Sequence, residues 1–415
     1  MLEQYFKLPA VLRRHRSGLL GPYLDSFVSL LGSLGYPRET VRHQCCAVRD
    51  LGVWLEGEGL GVADLDDDLV GHHIEERRGS GRAWQGDEAA TIRRLVEHLR
   101  ELGVIASAET VQEESPLDDV LRRYTEYLLV ERAVVQVTVD NYVAFVRDFL
   151  VQRCGDGPLQ LAQLRESDVT DFVLCWVRSH SPGRAKLLVT ALRSFFRFLL
   201  EHGEIEMDLA AAVPTVAGWR LSTVPKYLSE DQVERLLDAC DTTTAPGRRD
   251  YAVLLLLSRL GLRAGEVVAL ELDDIDWRAG EISVRGKGSS HDRLPLPPDV
   301  GEALTQYLRQ DRPACTTRRL FVRVRAPHRG FASSVAVISI VRRALRRADL
   351  NPPVRGAHLL RHSLATGMLR KGASMAEIGQ VLRHRNPITT EIYAKVDFDA
   401  LRGLARPWPI AEGGR

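Results

Sequence analysis

Lysine, paired cysteine and long apolar runs are what this 415-residue chain has little of. No stretch approaches the roughly 20 apolar residues that a membrane-spanning helix needs. The opening MLEQYFKLPAVLRRHRSG has neither the apolar core nor the small-residue cleavage site of a secretory signal. A soluble, cytoplasmic protein that stays off membranes is therefore expected. Its six cysteines (Cys45, Cys46, Cys154, Cys175, Cys240 and Cys315) form no CxxC pair and no Cys/His ligand spacing. That excludes a zinc module and a disulfide framework, and leaves small buried apolar residues in a reducing compartment. Only six of the 56 basic residues are lysine, so a lysine at a particular place carries information against an arginine-rich background. What is present is ample core material: 45% hydrophobic and 27% charged residues argue against disorder and suffice for two or three domains.

The net charge of +1 conceals a division along the chain. Residues 1–115 hold 13 basic against 19 acidic side chains, residues 116–215 hold 11 against 14, and residues 216–415 hold 32 against 22. The stretch from Val341 to Arg385 has 10 basic and 2 acidic residues. A basic excess spread over several helical turns suits a polyanion such as DNA, whereas the acidic N-terminal segment does not.

Apolar residues recur at three and four almost throughout, as in LVTALRSFFRFLLEHG and DQVERLLDAC, so the chain reads as mainly α. Extended structure is expected only around GEISVRG, DRLPLP and RRLFVRV. Between Val213 and Gln232 two prolines and a glycine break the pattern, and Ser229 with Gln232 then gives capping-box spacing. A linker over 213–227 and a new domain from 228 follow. Upstream lies an internal repeat. TVRHQCCAVRDLGVWL matches TVDNYVAFVRDFLVQR, LDDDLVGHHI matches LRESDVTDFV, and RRLVEHLRELGVI matches RSFFRFLLEHGEI with Gly103 opposite Gly203. Three matches in order at a nearly constant offset point to duplication of one small helical domain, over 1–112 and 116–212.

Four stretches of the C-terminal half carry candidate chemistry. In GLRAGEV, Arg263 follows a Gly-Leu turn and Glu266 stands one turn on, able to brace the guanidinium. ISVRGKGSSHDRLPL reads as a hairpin with Lys287 at its turn. It is not a phosphate loop, since Glu281 and Gly288 stand where that motif needs Gly and Ser or Thr. In HLLRHSLAT, His358 and Arg361 are three apart and share one side of a helix. LRHRNPITTEIY brings His384 before a proline-broken turn and Tyr393 nine residues later. Each feature alone is more often structural: a surface ion pair, a solvated lysine, a core tyrosine. The ordered set is hard to obtain by accident.

These motifs resemble those of the tyrosine recombinases, the phage-integrase-type site-specific recombinases, over roughly Tyr227 to Leu404. The resemblance implies a helical, SAM-like core-binding domain over 116–212. It also implies a mixed, mostly helical catalytic domain with a small β-sheet over 228–405, followed by a tail over 406–415. It implies that Tyr393 attacks a DNA phosphate to form a 3′-phosphotyrosine, with Arg263 and Arg361 on the non-bridging oxygens. His358 and His384 would supply hydrogen bonds or move a proton near the nucleophile, Lys287 would protonate the leaving 5′ oxygen, and Glu266 would orient Arg263. No metal or nucleotide cofactor is called for, because the phosphotyrosine conserves the bond energy. The implied partners are a duplex site with inverted repeats, further copies of the chain as a dimer on the site and a tetramer in synapsis, and sister recombinases or accessory proteins. In a bacterial cell this places the chain at the nucleoid.

Arg383 stands where many relatives have glycine and is expected to add charge beside the phosphate or contact DNA. Arg193, Arg342, Arg343 and Arg346, on AKLLVTALRSFFRF and SSVAVISIVRRALRR, are the further candidates for DNA contact. The N-terminal copy is open to two readings, a clasp on flanking DNA or a protein-contacting regulatory module. An apolar helix over Phe398–Leu404 either docks on a neighbouring copy or packs on its own domain. Two rival activities remain in view: an idle architectural subunit of a multi-recombinase system, and a DNA-relaxing enzyme of the type IB topoisomerase kind.

Overall fold

The computed structural model describes residues 1–79, 88–106, 115–155, 158–217, 224–286 and 291–396. They fall into two compact units. One lies between Glu109 and Ser222, and the other joins the segment up to Ala108 to the residues from Thr223 onward.

The Glu109–Ser222 unit is built from α6 (Pro116–Glu126), α7 (Gln136–Cys154), α8 (Glu166–Ser179), α9 (Pro182–Glu201) and the short α10 (Leu209–Ala212), with the N-terminal helices numbered α1–α5 below. Its axis is α9, whose apolar residues at helical spacing bury Leu188, Leu192, Phe195, Phe196 and Leu199. Phe149 of α7 meets Phe172 of α8 and Phe196 of α9 edge-on at 5.2 and 5.6 Å, the geometry that ring quadrupoles favour.

In the other unit the N-terminal segment has its own core, formed by α1 (Pro9–Arg16), α2 (Leu24–Ser33), α3 (Arg38–Glu58), α4 (Asp67–Gly79) and α5 (Glu88–Glu101). The order long helix, 3-10 turn, helix, helix recurs from α3–α5 to α7–α9, with 3-10 turns at Val62–Asp64 and Leu161–Gln163. Both helix sets end alike. Gly103 and Gly203 take φ of 69° and 71°. The next N–H, of Val104 or Glu204, donates back to Leu99 or Leu199 at 3.0 and 2.9 Å, and Ile105 and Ile205 are then buried. Among the described residues the N-terminal segment meets the C-terminal part around His328. The His328 N–H donates to the Leu34 carbonyl at 2.9 Å, its ring lies against Gly35, and Ala326 packs on the N-terminal core.

The C-terminal part holds α11 (Glu230–Asp238), α12 (Ala245–Arg259), α13 (Ala264–Ala269), α14 (Pro298–Gln306), α15 (Ser334–Arg347), α16 (His358–Arg370) and α17 (Met375–Val381). A three-stranded antiparallel sheet of β1 (Ile275–Asp276), β2 (Glu281–Arg285) and β3 (His291–Pro295) lies between α13 and α14, in the order β1-β2-β3. The chain is thus mainly α with one small sheet. Ser229 caps α11 as its spacing implies, exchanging hydrogen bonds with Gln232 at 3.0 and 3.3 Å. The hairpin pairs Ile282 with Leu294. RRLFVRV is a correction: it forms only isolated bridges, Glu271 to Arg319 and Val322 to Gly330. Leu320, Phe321 and Val322 are all buried and consecutive, so they lack the two-faced alternation that a half-exposed strand needs. Central to this part is α12, where every residue from Ala252 to Leu257 is buried, the mark of a helix surrounded on all sides. No helix among the described residues is long and apolar enough to cross a membrane.

Candidate active site

Because α12 is buried to its end, the turn after it is rigidly placed, and that turn delivers the first candidate residue. Gly261 takes φ +60°, a conformation costly to any other residue, and Leu262 is fully buried. Arg263 then caps α13. Its backbone N–H donates to Glu266 Oε2 at 2.8 Å and its Nη1 to Glu266 Oε1 at 2.6 Å, leaving the guanidinium partly open to solvent. Burial alone would raise the Glu266 carboxyl. The Arg263 N–H and the guanidinium groups of Arg383 and Arg263 overcome that and hold it below the usual carboxylate range.

Arg361, on α16, is 3% exposed. Its two terminal nitrogens donate to the carbonyls of Gly261 and Leu382. It thereby ties the turn before Arg263 to the turn before His384. Burial, with Arg263 and Arg383 nearby, pushes it down to about 10, still fully charged at neutral pH. His358 opens the same helix with its outer edge in solvent. Protein packed round the rest of the ring, then Arg361 and Arg263, hold it below the ordinary imidazole range. His384 donates to or accepts from Thr390 Oγ1 at 2.8 Å, and burial beside Arg361, Arg263 and Arg383 takes it down to about 4. A cleft of about 770 Å³ is bounded by Arg263, His384 and Thr390, with Asp292 of β3 and Gln380 of α17 also lining it.

Tyr393 lies in a 3-10 turn, Glu391–Val396, and is 1% exposed. Its ring packs with Ala365, Ile378, Leu382 and Val396. Burial pushes the phenol up to about 12, against the opposing pull of Arg361 and Arg263. The hydroxyl is paired neither with His358 nor with His384. It meets His362 Nδ1 at 2.9 Å. His362 escapes the sequence reading although it sits one turn below His358 on the same helical face, the two rings 6.2 Å apart. Burial, His358 and Arg361 take it down to about 4.

Arg263, Glu266, His358, Arg361, His384 and Tyr393 are thus brought to one place. Lys287 falls in the β2–β3 connection, outside the described residues. Arg383, at φ +54°, has a side chain only 5% exposed that donates to Glu266 Oε2 at 2.8 Å; it also lines the cleft, and its charge acts on Arg361 and His384. Arg193 is likewise engaged within the protein, donating to the Val213 carbonyl and Thr215 Oγ1 at 2.8 and 2.9 Å, and so fastens the chain that leaves α10. Arg343 pairs with buried Asp250 at 3.2 Å while remaining half-exposed. Arg342 and Arg346 are exposed on α15 and flank a surface hollow with Arg355.

Residues 226–400 match the Phage integrase family, and residues 121–203 match the Phage integrase, N-terminal SAM-like domain. The chain is 46% identical to a putative integrase/recombinase of Sinorhizobium fredii, over 98% of this chain and 99% of that one, so the N-terminal segment is shared. It is 33% identical to tyrosine recombinase XerD of Mycobacterium tuberculosis, over 68% of this chain and 94% of that one. The solved structure of the XerH site-specific recombinase bound to palindromic difH substrate shares the fold, with a TM-score of 0.57 at 18% identity, over 70% of this chain and 96% of that one. With this constellation in this fold, the chain belongs to the phage integrase family, the tyrosine recombinases, enzymes that break and rejoin DNA.

Proposed function

We propose that this chain is the recombinase of a mobile or integrating element and acts on a specific duplex site with inverted repeats. The observation that carries the reading is the gathering of Arg263, His358, Arg361 and His384, from three separate elements, with the two arginines close enough to act on the phenol of Tyr393. Tyr393 Oη attacks the scissile phosphorus, a 3′-phosphotyrosine forms, and the P–O5′ bond breaks. Arg263 and Arg361 offset the charge that develops on the non-bridging oxygens, the task for which planar forked donors are suited. His358 and His384 donate hydrogen bonds to the same oxygens. Lys287 gives the departing 5′ oxygen its proton. The covalent intermediate keeps the bond energy for religation. Because the phenol is covered in the DNA-free protein, the Glu391–Val396 turn shifts to admit the phosphate.

Copies of the chain act as a dimer on one site and a tetramer in synapsis; the segment 398–404, read from the sequence as docking on a neighbour or packing on its own domain, lies outside the described residues. Exposed Arg342 and Arg346 contact the DNA backbone. The N-terminal segment is a duplicated core-binding domain whose acidic charge directs it to protein rather than phosphate. The deciding experiment incubates a nicked suicide duplex, made from the element's own terminal DNA, with wild-type protein and with Tyr393→Phe. A covalent adduct that survives denaturation and needs Tyr393 is expected. Specific binding without any adduct from wild type overturns the reading in favour of an idle architectural subunit. Relaxation of any supercoiled plasmid, without exchange between sites, overturns it in favour of a topoisomerase.

A further inference from the structure

In the steps just proposed every group works on the electrophile or the leaving group, and His358 and His384, which the sequence offered as proton carriers near the nucleophile, are not hydrogen-bonded to the phenol. Among the described residues the hydrogen-bond partner of Tyr393 Oη is His362 Nδ1, at 2.9 Å. We propose that His362 is the acceptor that takes the Tyr393 proton as the phenol attacks. The inference rests on the recombinase reading and deepens it.

The geometry supports it in three ways. His362 lies on α16 directly after Arg361, whose guanidinium is pinned to two carbonyls, so the imidazole is presented from a fixed backbone. Its ring also meets the Tyr393 ring edge-on at 5.6 Å, a second contact beside the 2.9 Å hydrogen bond. The two other histidines are otherwise placed: His384 is engaged with Thr390, and His358 stands at the solvent edge one turn away.

Electrostatics then set the timing. Burial, with His358 and Arg361 beside it, keeps His362 neutral at physiological pH, so Nδ1 accepts while the ring proton sits on Nε2. The same site holds the phenol proton tightly. Transfer therefore does not precede attack. It accompanies it: as the Oη–P bond forms, the phenolic oxygen becomes strongly acidic, its proton passes to Nδ1, and the P–O5′ electron pair leaves to be protonated by Lys287. Religation runs the same transfer backwards, His362 returning the proton to Tyr393. A tyrosine that cannot ionise before a phosphate is in place does not react with stray electrophiles.

The test compares His362→Phe, which keeps ring volume but has no acceptor, with His362→Asn, which places an amide oxygen near the Nδ1 position without basicity. Single-turnover adduct formation on the nicked suicide duplex is followed from pH 6.5 to 9, with gel-shift affinity and thermal unfolding as controls. His362→Phe should bind DNA normally and form adduct about 100-fold more slowly at pH 7, the usual contribution of a positioned base. Its rate should rise about tenfold per pH unit, as hydroxide replaces the imidazole, while the wild-type profile stays flatter. His362→Asn should restore part of the rate but keep the steep profile. A His362→Phe rate at or above wild type, or a slower rate with the wild-type pH profile, overturns the proposal. Absence of adduct from wild type sinks the recombinase reading, and this inference with it. If a variant is poorly folded, the ¹³Cζ resonance of Tyr393 in labelled wild-type protein provides a second measurement. It should move when His362 is protonated in acid, and an unmoved resonance overturns the proposal.

Discussion

Arg383 is the residue whose replacement tests the site's internal architecture most directly. It holds φ +54° and a nearly buried ion pair with Glu266 at 2.8 Å, while Glu266 keeps a second partner in Arg263. Arg383→Gly removes a left-handed backbone cost of about 1–2 kcal/mol, but glycine gives back roughly 0.5–1 kcal/mol in chain entropy, so the backbone contribution nearly cancels. Breaking a buried pair by deleting one partner costs about 3–5 kcal/mol. Here it should cost about 2 kcal/mol, because the carboxylate retains Arg263 and a backbone N–H. For a domain of this size that is a fall in Tm of about 4–8 °C. Arg383→Ala keeps the strained backbone and loses the same ion pair, so it should fall within about 1 kcal/mol of the glycine variant. Both are read by calorimetry of the full chain. The pH dependence has a definite sign. Glu266 is held below its unfolded value, near ~4.3. Its contribution is therefore fully present at neutral pH and is lost as pH falls through the folded value. The gap between wild type and Arg383→Gly should be full at pH 7 and shrink below about pH 4. Equal melting at pH 7, or a gap that does not change in acid, would refute the assigned role.

Further expectations follow from glycines with positive φ. Gly261→Ala would place a Cβ 2.8 Å from Leu382 Cδ2 at φ +60°, disturbing the carbonyl that anchors Arg361. Adduct formation should fall more than about tenfold with DNA affinity retained, and an unchanged rate would show that the anchor is dispensable. Gly35→Ala would place a Cβ 2.0 Å from His328 Cδ2. The Gly35→Ala/His328→Ala double variant should recover all but about 1 kcal/mol of the lost stability, measured as a double-mutant cycle. Gly103→Ala and Gly203→Ala meet no atom within 4 Å, so each should cost only the left-handed penalty of about 1 kcal/mol. Clearly unequal thermal shifts would mean that the two repeats do not stop their helices alike.

Features that depend on neighbours in the chain were legible without coordinates. Arg263 and Glu266 are three apart, so the helix start alone brings them together, and the same holds for Ser229 with Gln232. Gly103 and Gly203 announce matched helix ends because a reversal to positive φ is a local demand. The hairpin around Lys287 follows from two short apolar runs and a Gly/Ser turn, although Lys287 itself lies outside the described residues. RRLFVRV misled because β-branched and aromatic residues suit a buried irregular segment as well as a strand. What only the tertiary structure decided is which histidine meets the Tyr393 hydroxyl and which arginine turns inward. His362 and Tyr393 are 31 residues apart, and Arg383 and Glu266 are 117 apart. No local rule ranks His362 above His384, or predicts that Arg383 leaves solvent for a carboxylate. Those outcomes depend on how α12, α16 and α17 pack, and on Arg361 joining the ends of two of them from the third. Sequence alone supplied the family and all the candidate groups at the site except His362. Packing around one buried guanidinium assigned them their partners, since a charge out of reach of water must take whatever acceptors the folded chain brings to it.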